Sequence, residues 1–168
     1  MGTANFLHWG GVWDYIQGEW DLVIAHPPCT DLAVSGARWF KEKQEDFRQQ
    51  KACVFFMQIA LCNAKRLAVE NPIGIMSECY RKPDQIIQPY EYGDPYKKST
   101  CLWLKNLPEL KPTNIVEPKL IKYECKDGRT VTFSEDYGGS FDGKGGKRRS
   151  KTYPGIAKAM AEQWGELL

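Results

Sequence analysis

Two apolar runs that both stop at proline, with one helix-like segment between them, constrain the fold of this chain most. The first run, WDLVIAH at 20–26, predicts a short buried strand. Residues 41–65 predict a helix whose second half is almost wholly apolar. The second run, RLAVE at 66–70, predicts another buried strand. Because strand, helix and strand in this order form the crossover unit of a parallel sheet, we expect an α/β fold with a mostly parallel sheet and flanking helices.

The remaining residues predict further strands, a hairpin and a final helix. Residues 73–82 predict a loop or a short helix, 84–90 and 99–104 predict strands, and 154–167 predict an amphipathic helix. Asp-Gly between two alternating stretches, in KLIKYECKDGRTVTFS, is a strong hairpin signal. The hairpin and a Gly-rich, basic loop occupy about 115–151 and form an insertion before the last helix. Since no linker divides the chain, a single domain over 1–168 is expected.

The cysteines and the apolar segments argue against a secreted protein and a membrane protein. None of the six cysteines belongs to a CxxC pair, and two histidines are too few to suggest a metal site. No basic start followed by a long apolar run marks a signal peptide, and no apolar stretch approaches the length of a membrane span. We therefore expect a reduced, cytoplasmic protein without a metal or a membrane partner. The net charge of +2 neither demands nor excludes a nucleic-acid partner.

A cysteine and a carboxyl group follow the two predicted strands. Cys29 comes three residues after the first strand, and Glu70 closes the second. In open α/β sheets, ligands bind outside the carboxyl ends of the strands, so we expect this thiol and this carboxyl group at one pocket. A lone cysteine is more often a small buried hydrophobe. The coincidence of both groups at matching strand ends favours a functional pair.

Four segments resemble motifs of the cytosine-5 DNA methyltransferases, in the order of that family. The segment HPPCTDLAVSG resembles the nucleophile motif of that family, and VENP resembles its Glu-Asn motif. The segment EYGDPYKKSTCLWL resembles the Tyr-Gly-x-Pro-Gln-x-Arg-x-Arg segment, and TYPGIAKAMAEQW resembles the closing helix. Together these segments span about residues 20–166. The short form resembles small methyltransferase-like proteins carried by bacteriophages. The resemblance implies a Rossmann-like, methyltransferase-type fold and a phage-encoded protein in the bacterial host cytoplasm.

The resemblance implies covalent catalysis on a cytosine ring. Cys29 is the implied nucleophile: its thiolate adds to carbon six, and carbon five then attacks the methyl group of S-adenosylmethionine. Glu70, protonated when it acts, is implied to bond the ring nitrogen. His26, beside the nucleophile, is expected to help set the thiolate fraction of Cys29. In duplex DNA the target base would be flipped out of the stack.

Other contacts are expected around these two residues. The predicted substrate-binding residues are Pro28, Ser35, Asn71 and Lys98, the predicted cofactor-binding residues are Pro27 and Thr152, and the predicted nucleic-acid contacts are Lys147, Arg148 and Arg149. The basic run that holds the last three is either a phosphate clamp or an ordinary solvated loop. Trp39 and Phe40, just after the nucleophile motif, are the best candidates for stacking on a base.

The chain departs from the family in two respects that bear on its partners. Only 28 residues precede Cys29, whereas the family opens with a longer cofactor-binding segment with a Gly-rich turn. We therefore expect an N-terminally truncated domain that needs a complementing cofactor-lobe chain or forms a homodimer. Of the Gln-x-Arg-x-Arg positions only Lys98 is a cation, and lysine lacks the planar fork of arginine. The short region that follows leaves DNA and a cytosine nucleotide both open as substrates.

Three hypotheses follow. The first is a minimal cytosine-5 methyltransferase that uses S-adenosylmethionine, favoured by the pair Cys29 and Glu70. The second is a catalytically inactive binding module for nucleic acid or for a phage or host protein, favoured by the short N-terminal segment. The third is another reaction at carbon five of a pyrimidine, with Cys29 as nucleophile and a different one-carbon donor.

Overall fold

A computed structural model of the chain describes residues 16–125, 127–134 and 152–168. The strands are β1 (Trp20–Ala25), β2 (Ala64–Pro72), β3 (Gln85–Ile87), β4 (Thr100–Lys105), β5 (Leu120–Glu124) and β6 (Thr130–Ser134). The helices are α1 (Phe40–Glu45), α2 (Arg48–Ala60), α3 (Met76–Cys79) and α4 (Pro154–Gly165), with 3₁₀ helices at Val34–Trp39 and Pro89–Glu91. The predicted α/β class is confirmed. Among these helices, none has the length and hydrophobicity needed to cross a bilayer.

One sheet of four strands and one of two strands make up the described β-structure. The larger sheet has the order β1-β2-β4-β3. β1 and β2 are parallel, with Ala25 opposite Val69, which confirms the predicted crossover unit. The side-chain amide of Asn106 donates to the carbonyl of Lys65 at 2.8 Å, which brings the end of β4 to the start of β2. These two strands therefore run in opposite directions, and the sheet is mixed, where a mostly parallel sheet was expected.

The chain folds as two compact units, and the first comprises Met1–Asp84 with Cys101–Leu107. In its described part, the apolar face of α2 packs on one face of β2 and β4. Phe56, fully buried, meets the ring of Trp103 edge-on, with ring centroids 5.0 Å apart. Leu67 and Val69 of β2 and Cys101 of β4 belong to the same buried cluster. Burial of this apolar surface is the main stabilising term and holds β2 firmly at the centre of the unit.

The helix predicted over 41–65 is two helices with a break at 46–47. Phe47 adopts a left-handed conformation, with φ at 62°. The Asp46 carboxylate accepts a hydrogen bond from the backbone N–H of Arg48 at 3.0 Å, and such local side-chain bonds compete with helical ones. The prediction of one continuous helix was wrong for this reason. The helix also ends earlier than predicted, at Ala60, and β2 begins at Ala64.

The second unit comprises Gln85–Thr100 with Pro108–Leu168. The indole N–H of Trp164, on the buried face of α4, donates to the carbonyl of Pro108 at 3.0 Å. β5 and β6 pair antiparallel, which confirms the predicted hairpin. The strand predicted over 84–90 is shorter, because Pro89 starts a 3₁₀ helix instead. The predicted Gly-rich, basic loop lies outside the described residues, and the single domain over 1–168 stays a prediction.

Candidate active site

The register of β1 and β2 brings the ends of the two sequence motifs together. Ala25 and Val69 are partners, and the next residue of each strand carries a polar side chain. Nδ1 of His26 lies 2.9 Å from Oε2 of Glu70, and the carboxyl group is mostly buried while the imidazole is partly exposed. Parallel strands with this register place the motif residues that follow them at one edge of the sheet.

A side-chain hydrogen bond from Asn71 links the two motifs at a second place. This residue is 1% exposed, and its side-chain Nδ2 donates to the carbonyl of Pro27 at 2.9 Å. Pro27 is buried by this arrangement, whereas Pro28 is exposed. The other side-chain atom, Oδ1, is buried and accepts no hydrogen bond from the described residues. A buried acceptor of this kind is costly unless a donor reaches it, and a ligand can supply one.

A third set of hydrogen bonds joins the same segments beyond Cys29. We call residues 26–34 the Cys29 loop and residues 70–75 the Glu-Asn-Pro segment. The N–H of Val34 donates to the carbonyl of Ile73 at 2.9 Å, and the N–H of Ile75 donates to that of Leu32 at 3.0 Å. A Cβ on Gly74 would overlap the Leu32 carbonyl, so only glycine permits this approach. The Cys29 loop is therefore held at both ends against the segment that carries Glu70.

Cys29 lies at the turn between these two attachments. Its carbonyl accepts hydrogen bonds from the N–H groups of Leu32 at 3.0 Å and Ala33 at 2.9 Å. The residue is partly buried, unlike Cys53 and Cys101, which belong to the core. None of the six cysteines, all within the described residues, is in a disulfide.

The surroundings distinguish Cys29 from the core thiols. Burial, and then the charge of Glu70, raise the pKa of Cys101 to about 11. Burial and the neighbouring Cys79 raise the pKa of Cys53 to about 12. Both core thiols are therefore protonated and unreactive at neutral pH. The partly exposed thiol of Cys29, with a carboxyl group and an imidazole on the adjoining strand ends, suits nucleophilic attack assisted by a proton donor.

Three predicted contact residues lie on the 3₁₀ helix Val34–Trp39 or directly after it. Ser35 is exposed there. Trp39, at the end of the same helix, is 50% exposed, and the guanidinium of Arg38 lies 5.1 Å from its ring centroid. An exposed indole beside a cation is the kind of surface on which nucleic-acid bases stack. Phe40 is half-buried at the start of α1.

Within the second unit, Lys98 lies close to Tyr153, the residue after Thr152. The ammonium group of Lys98 lies 5.6 Å from the ring centroid of Tyr153, and Thr152 is exposed. The ring of Tyr96 lies 5.7 Å from the same tyrosine ring. The Asp94 carboxylate accepts the N–H of Gly155 at 2.8 Å, in the first turn of α4. The sequence segments EYGDPYKK and TYPG are therefore neighbours within this unit.

The three predicted nucleic-acid contacts, Lys147, Arg148 and Arg149, lie outside the described residues. Across the part of the chain that the structure describes, no group of three or more histidine, cysteine, aspartate or glutamate side chains could hold a metal ion.

After β1 the chain lacks the Gly-rich turn that is usual in a site for S-adenosylmethionine. A site of the usual kind needs a Gly-rich turn between a strand and a helix, where backbone N–H groups receive the ligand. β1, the first described strand, is followed by the proline-rich Cys29 loop. Pro27, predicted to bind the cofactor, is buried and its carbonyl already accepts the Asn71 side chain.

A cavity of about 430 Å³ in the first unit is separate from these groups. Its lining residues are Ala60, Leu61, Leu67, Val69, Tyr80, Arg81, Trp103, Leu104, Lys105 and Asn106. Several of its polar groups have partners in the protein, since Arg81 pairs with Asp84 at 2.7 Å and the indole N–H of Trp103 donates to the Arg81 carbonyl. The cavity contains neither Cys29 nor Glu70, so it is not the candidate active site.

Sequence reasoning missed two buried polar side chains that contact the Cys29 loop. Lys43 and Gln49 belong to the segment predicted as the polar part of a helix, yet both are buried. Their burial has no signal in hydrophobic periodicity, because that method assigns charged residues to the solvent face.

Comparisons of the chain with protein-family models, with curated proteins and with solved structures found no match.

Proposed function

We propose that this chain acts on a cytosine ring through Cys29 and Glu70, as a cytosine-5 methyltransferase or as the nucleophile-bearing part of one. One observation carries the proposal. The loop that bears the thiol and the segment that bears the carboxyl group are hydrogen-bonded on both sides of Cys29, through Asn71 and Pro27 and through Val34 and Ile73. A structural cysteine needs no such arrangement beside a carboxyl group.

The step assigned to this chain is reversible addition to the ring. The Cys29 thiolate forms a bond to carbon six, and the electron pair of the double bond between carbons five and six moves toward carbon five and the ring nitrogen N3. Protonated Glu70 transfers its proton to N3, so that no isolated charge develops on the ring. Carbon five is then nucleophilic. Carbon five takes up a methyl group from the donor, or a proton when no donor is bound. Loss of the original hydrogen at carbon five as a proton then re-forms the double bond between carbons five and six and expels the thiolate, and N3 returns its proton to Glu70.

Asn71 is assigned to the recognition of the base. Its buried Oδ1 accepts nothing from the described residues, and cytosine carries an exocyclic amino group that can donate. Pro28, next to Cys29 in sequence, and Ser35, six residues after it, are exposed and are assigned to substrate contact. Lys98, a cation beside the ring of Tyr153, is assigned to a phosphate of DNA or of a cytosine nucleotide.

The methyl donor of this proposal is S-adenosylmethionine, held by residues other than those that the structure describes. A complementing chain or a second copy is the proposed source of that site. β1 supports this assignment, because it has a neighbour on one side only, β2, among the described strands. A Rossmann-like, methyltransferase-type relationship and a phage-encoded protein of the host cytoplasm belong to the same proposal.

Covalent trapping tests the proposed addition. The wild-type chain is incubated with DNA oligonucleotides that carry 5-azacytosine, in which nitrogen at position five makes carbon six more electrophilic and hinders release of the thiolate. We expect a protein–DNA adduct on denaturing gels, located at Cys29 by peptide mass spectrometry. The nucleotide 5-azadeoxycytidine monophosphate, tested in parallel, separates the two substrate classes.

Two serine variants make the trapping specific. Cys29→Ser removes the adduct, whereas Cys79→Ser, which alters an exposed cysteine elsewhere in the first unit, retains it. Absence of any adduct with folded wild-type protein would contradict the proposed chemistry. Retained DNA binding without an adduct would favour the inactive binding module instead.

A further inference from the structure

Lys43, on α1, has an unusual environment for a lysine. Its side chain is 8% exposed, although lysine is rarely buried without a partner. The candidate active site as described above does not use it. A buried ammonium group is retained only where surrounding groups compensate the lost hydration, so its partners indicate what it does.

The partners of Lys43 belong to the two residues that follow Cys29. Its Nζ donates to the carbonyl of Thr30 and lies 3.2 Å from Oδ1 of Asp31. Gly36 leaves the room for this ammonium group, since a Cβ there would lie 3.2 Å from the same nitrogen. The lysine therefore contacts the first two residues of the short stretch that leads from the nucleophile into the 3₁₀ helix.

Gln49 on α2 supports the same stretch from a second direction. It is buried, and its Nε2 donates to the carbonyl of Asp31 at 3.2 Å. Its Oε1 accepts the side-chain amide of Gln44 on α1 at 2.9 Å. Both helices thus present buried polar groups to Thr30 and Asp31, and these bonds are additional to those that join the loop to the Glu-Asn-Pro segment.

We propose that Lys43 is a positioning residue for the Cys29 nucleophile, acting through Thr30 and Asp31. Its ammonium group holds the carbonyl of Thr30, the residue after Cys29, while Asn71 holds the carbonyl of Pro27, two residues before it. The significance of this role for catalysis rests on the proposed function. The effect on the loop itself does not, and it is measured separately.

Lys43→Met tests the positioning role by three readouts. Met keeps the length and apolar stem of the side chain but removes the charge and all donors. We expect hydrogen exchange of the Leu32 and Ala33 amides, which donate to the Cys29 carbonyl, to accelerate about tenfold or more, since breaking a buried pair opens the structure around it. Alkylation of Cys29 by iodoacetamide is expected to accelerate, and trapping on 5-azacytosine DNA to slow.

Matched variants separate local positioning from general loss of stability. Lys65→Met removes an exposed lysine, paired with Asp21 at 2.7 Å, and is expected to leave all three readouts unchanged. Lys43→Arg keeps the charge and donors and is expected to restore part of the trapping rate. If Lys43→Met does not fold, Asp31→Asn removes the charge of the partner and is expected to shift the same readouts in the same directions.

The outcomes distinguish this inference from the proposed function. Unchanged exchange of Leu32 and Ala33 and unchanged alkylation of Cys29 in a folded Lys43→Met variant would overturn the positioning role. Equal acceleration at core amides such as Val69 and at the loop would also overturn it, because the effect would then be global. Faster exchange and alkylation, with no trapping in the wild type, would support the positioning role and contradict the proposed function.

Discussion

Nδ1 of His26 lies 2.9 Å from Oε2 of Glu70, so the residue before the two prolines of the Cys29 loop bonds the carboxyl group of the neighbouring strand. The ring was expected to influence Cys29. Because the ring bonds Glu70, we assign it to the orientation of that carboxyl group. An effect of His26 on the Cys29 thiolate stays a prediction. With one oxygen bonded to the imidazole, the proposed function assigns the other carboxyl oxygen of Glu70 to the ring nitrogen of the base.

Replacing His26 therefore tests the orientation of Glu70. His26→Leu removes the ring nitrogen, and we expect ring addition to slow by between about tenfold and a hundredfold, as for a displaced catalytic group. His26→Asn keeps an N–H donor and is expected to lose less. Rates of trapping on 5-azacytosine DNA measure both variants. Equal rates for His26→Leu and the wild type would show that the bond does not orient the carboxyl group.

Gly74 tests the close approach of the two segments. In Gly74→Ala the new Cβ overlaps the Leu32 carbonyl, so the Cys29 loop must move away. We expect the free energy of unfolding to fall by about 1–3 kcal/mol, typical of overpacking. Urea denaturation measures it, with Gly165→Ala as the control, because nothing lies within 4 Å of a Cβ at that glycine. A stability equal to that of the wild type would mean that the segments separate without cost.

Because of its core thiols, Cys53 and Cys101, we expect the protein to lose stability at alkaline pH. Burial raises the pKa of Cys101 to about 11 and that of Cys53 to about 12, above the ordinary value of 9.0 for an exposed thiol. Between these values the unfolded chain has released protons that the folded chain retains, so the free energy of unfolding falls as pH rises above about 9. The stabilising contribution is fully present below that pH.

Urea denaturation between pH 8 and pH 10 measures this dependence, a range chosen around the unfolded thiol value. Cys101→Ala is expected to flatten the decline, because one of the two titrating thiols is gone. Its absolute stability also falls through the cavity that it leaves, so the slope with pH is the informative quantity. An unchanged slope in this variant would mean that Cys101 does not retain its proton in the folded state.

We expect the Asp94 carboxylate to stabilise the start of α4. It accepts the N–H of Gly155 at 2.8 Å, in the first turn, where backbone donors lack helical partners. Asp94→Ala is expected to lower the free energy of unfolding by about 0.5–2 kcal/mol. Glu162→Ala, an exposed change in the same helix, is expected to alter it by less than about 0.5 kcal/mol. Similar losses in both variants would contradict the role of Asp94.

The features predicted correctly from the sequence are those that local pattern determines. The apolar runs at 20–26 and 66–70 specify the two parallel strands, and Asp-Gly specifies the hairpin. The burial predicted for the first run was wrong, because every residue of β1 is exposed or half-buried. The break at Phe47 escaped prediction because it depends on one carboxylate bonding a nearby backbone N–H. Helical periodicity contains no signal for such a competing bond.

The candidate site was predictable in part for the same reason. Strand ends locate Cys29 and Glu70 at one edge, because parallel strands share a direction. The contacts of His26, Asn71 and Lys43 depend on tertiary register, in which single atoms 2.9 to 3.2 Å apart decide the partner. The residue type alone does not determine which hydrogen-bond partner each of these side chains has.

The most direct measurement of the central claim is exchange of the hydrogen at carbon five of cytosine with solvent in D₂O. Addition of Cys29 to carbon six, deuteration at carbon five and elimination place deuterium on the base without a methyl donor. The account predicts exchange by the wild type on DNA or on a cytosine nucleotide, read by mass spectrometry. It predicts no exchange by Cys29→Ser and a rate lower by about a hundredfold or more in Glu70→Gln. No exchange by the folded wild type, or equal exchange by Cys29→Ser, would contradict it.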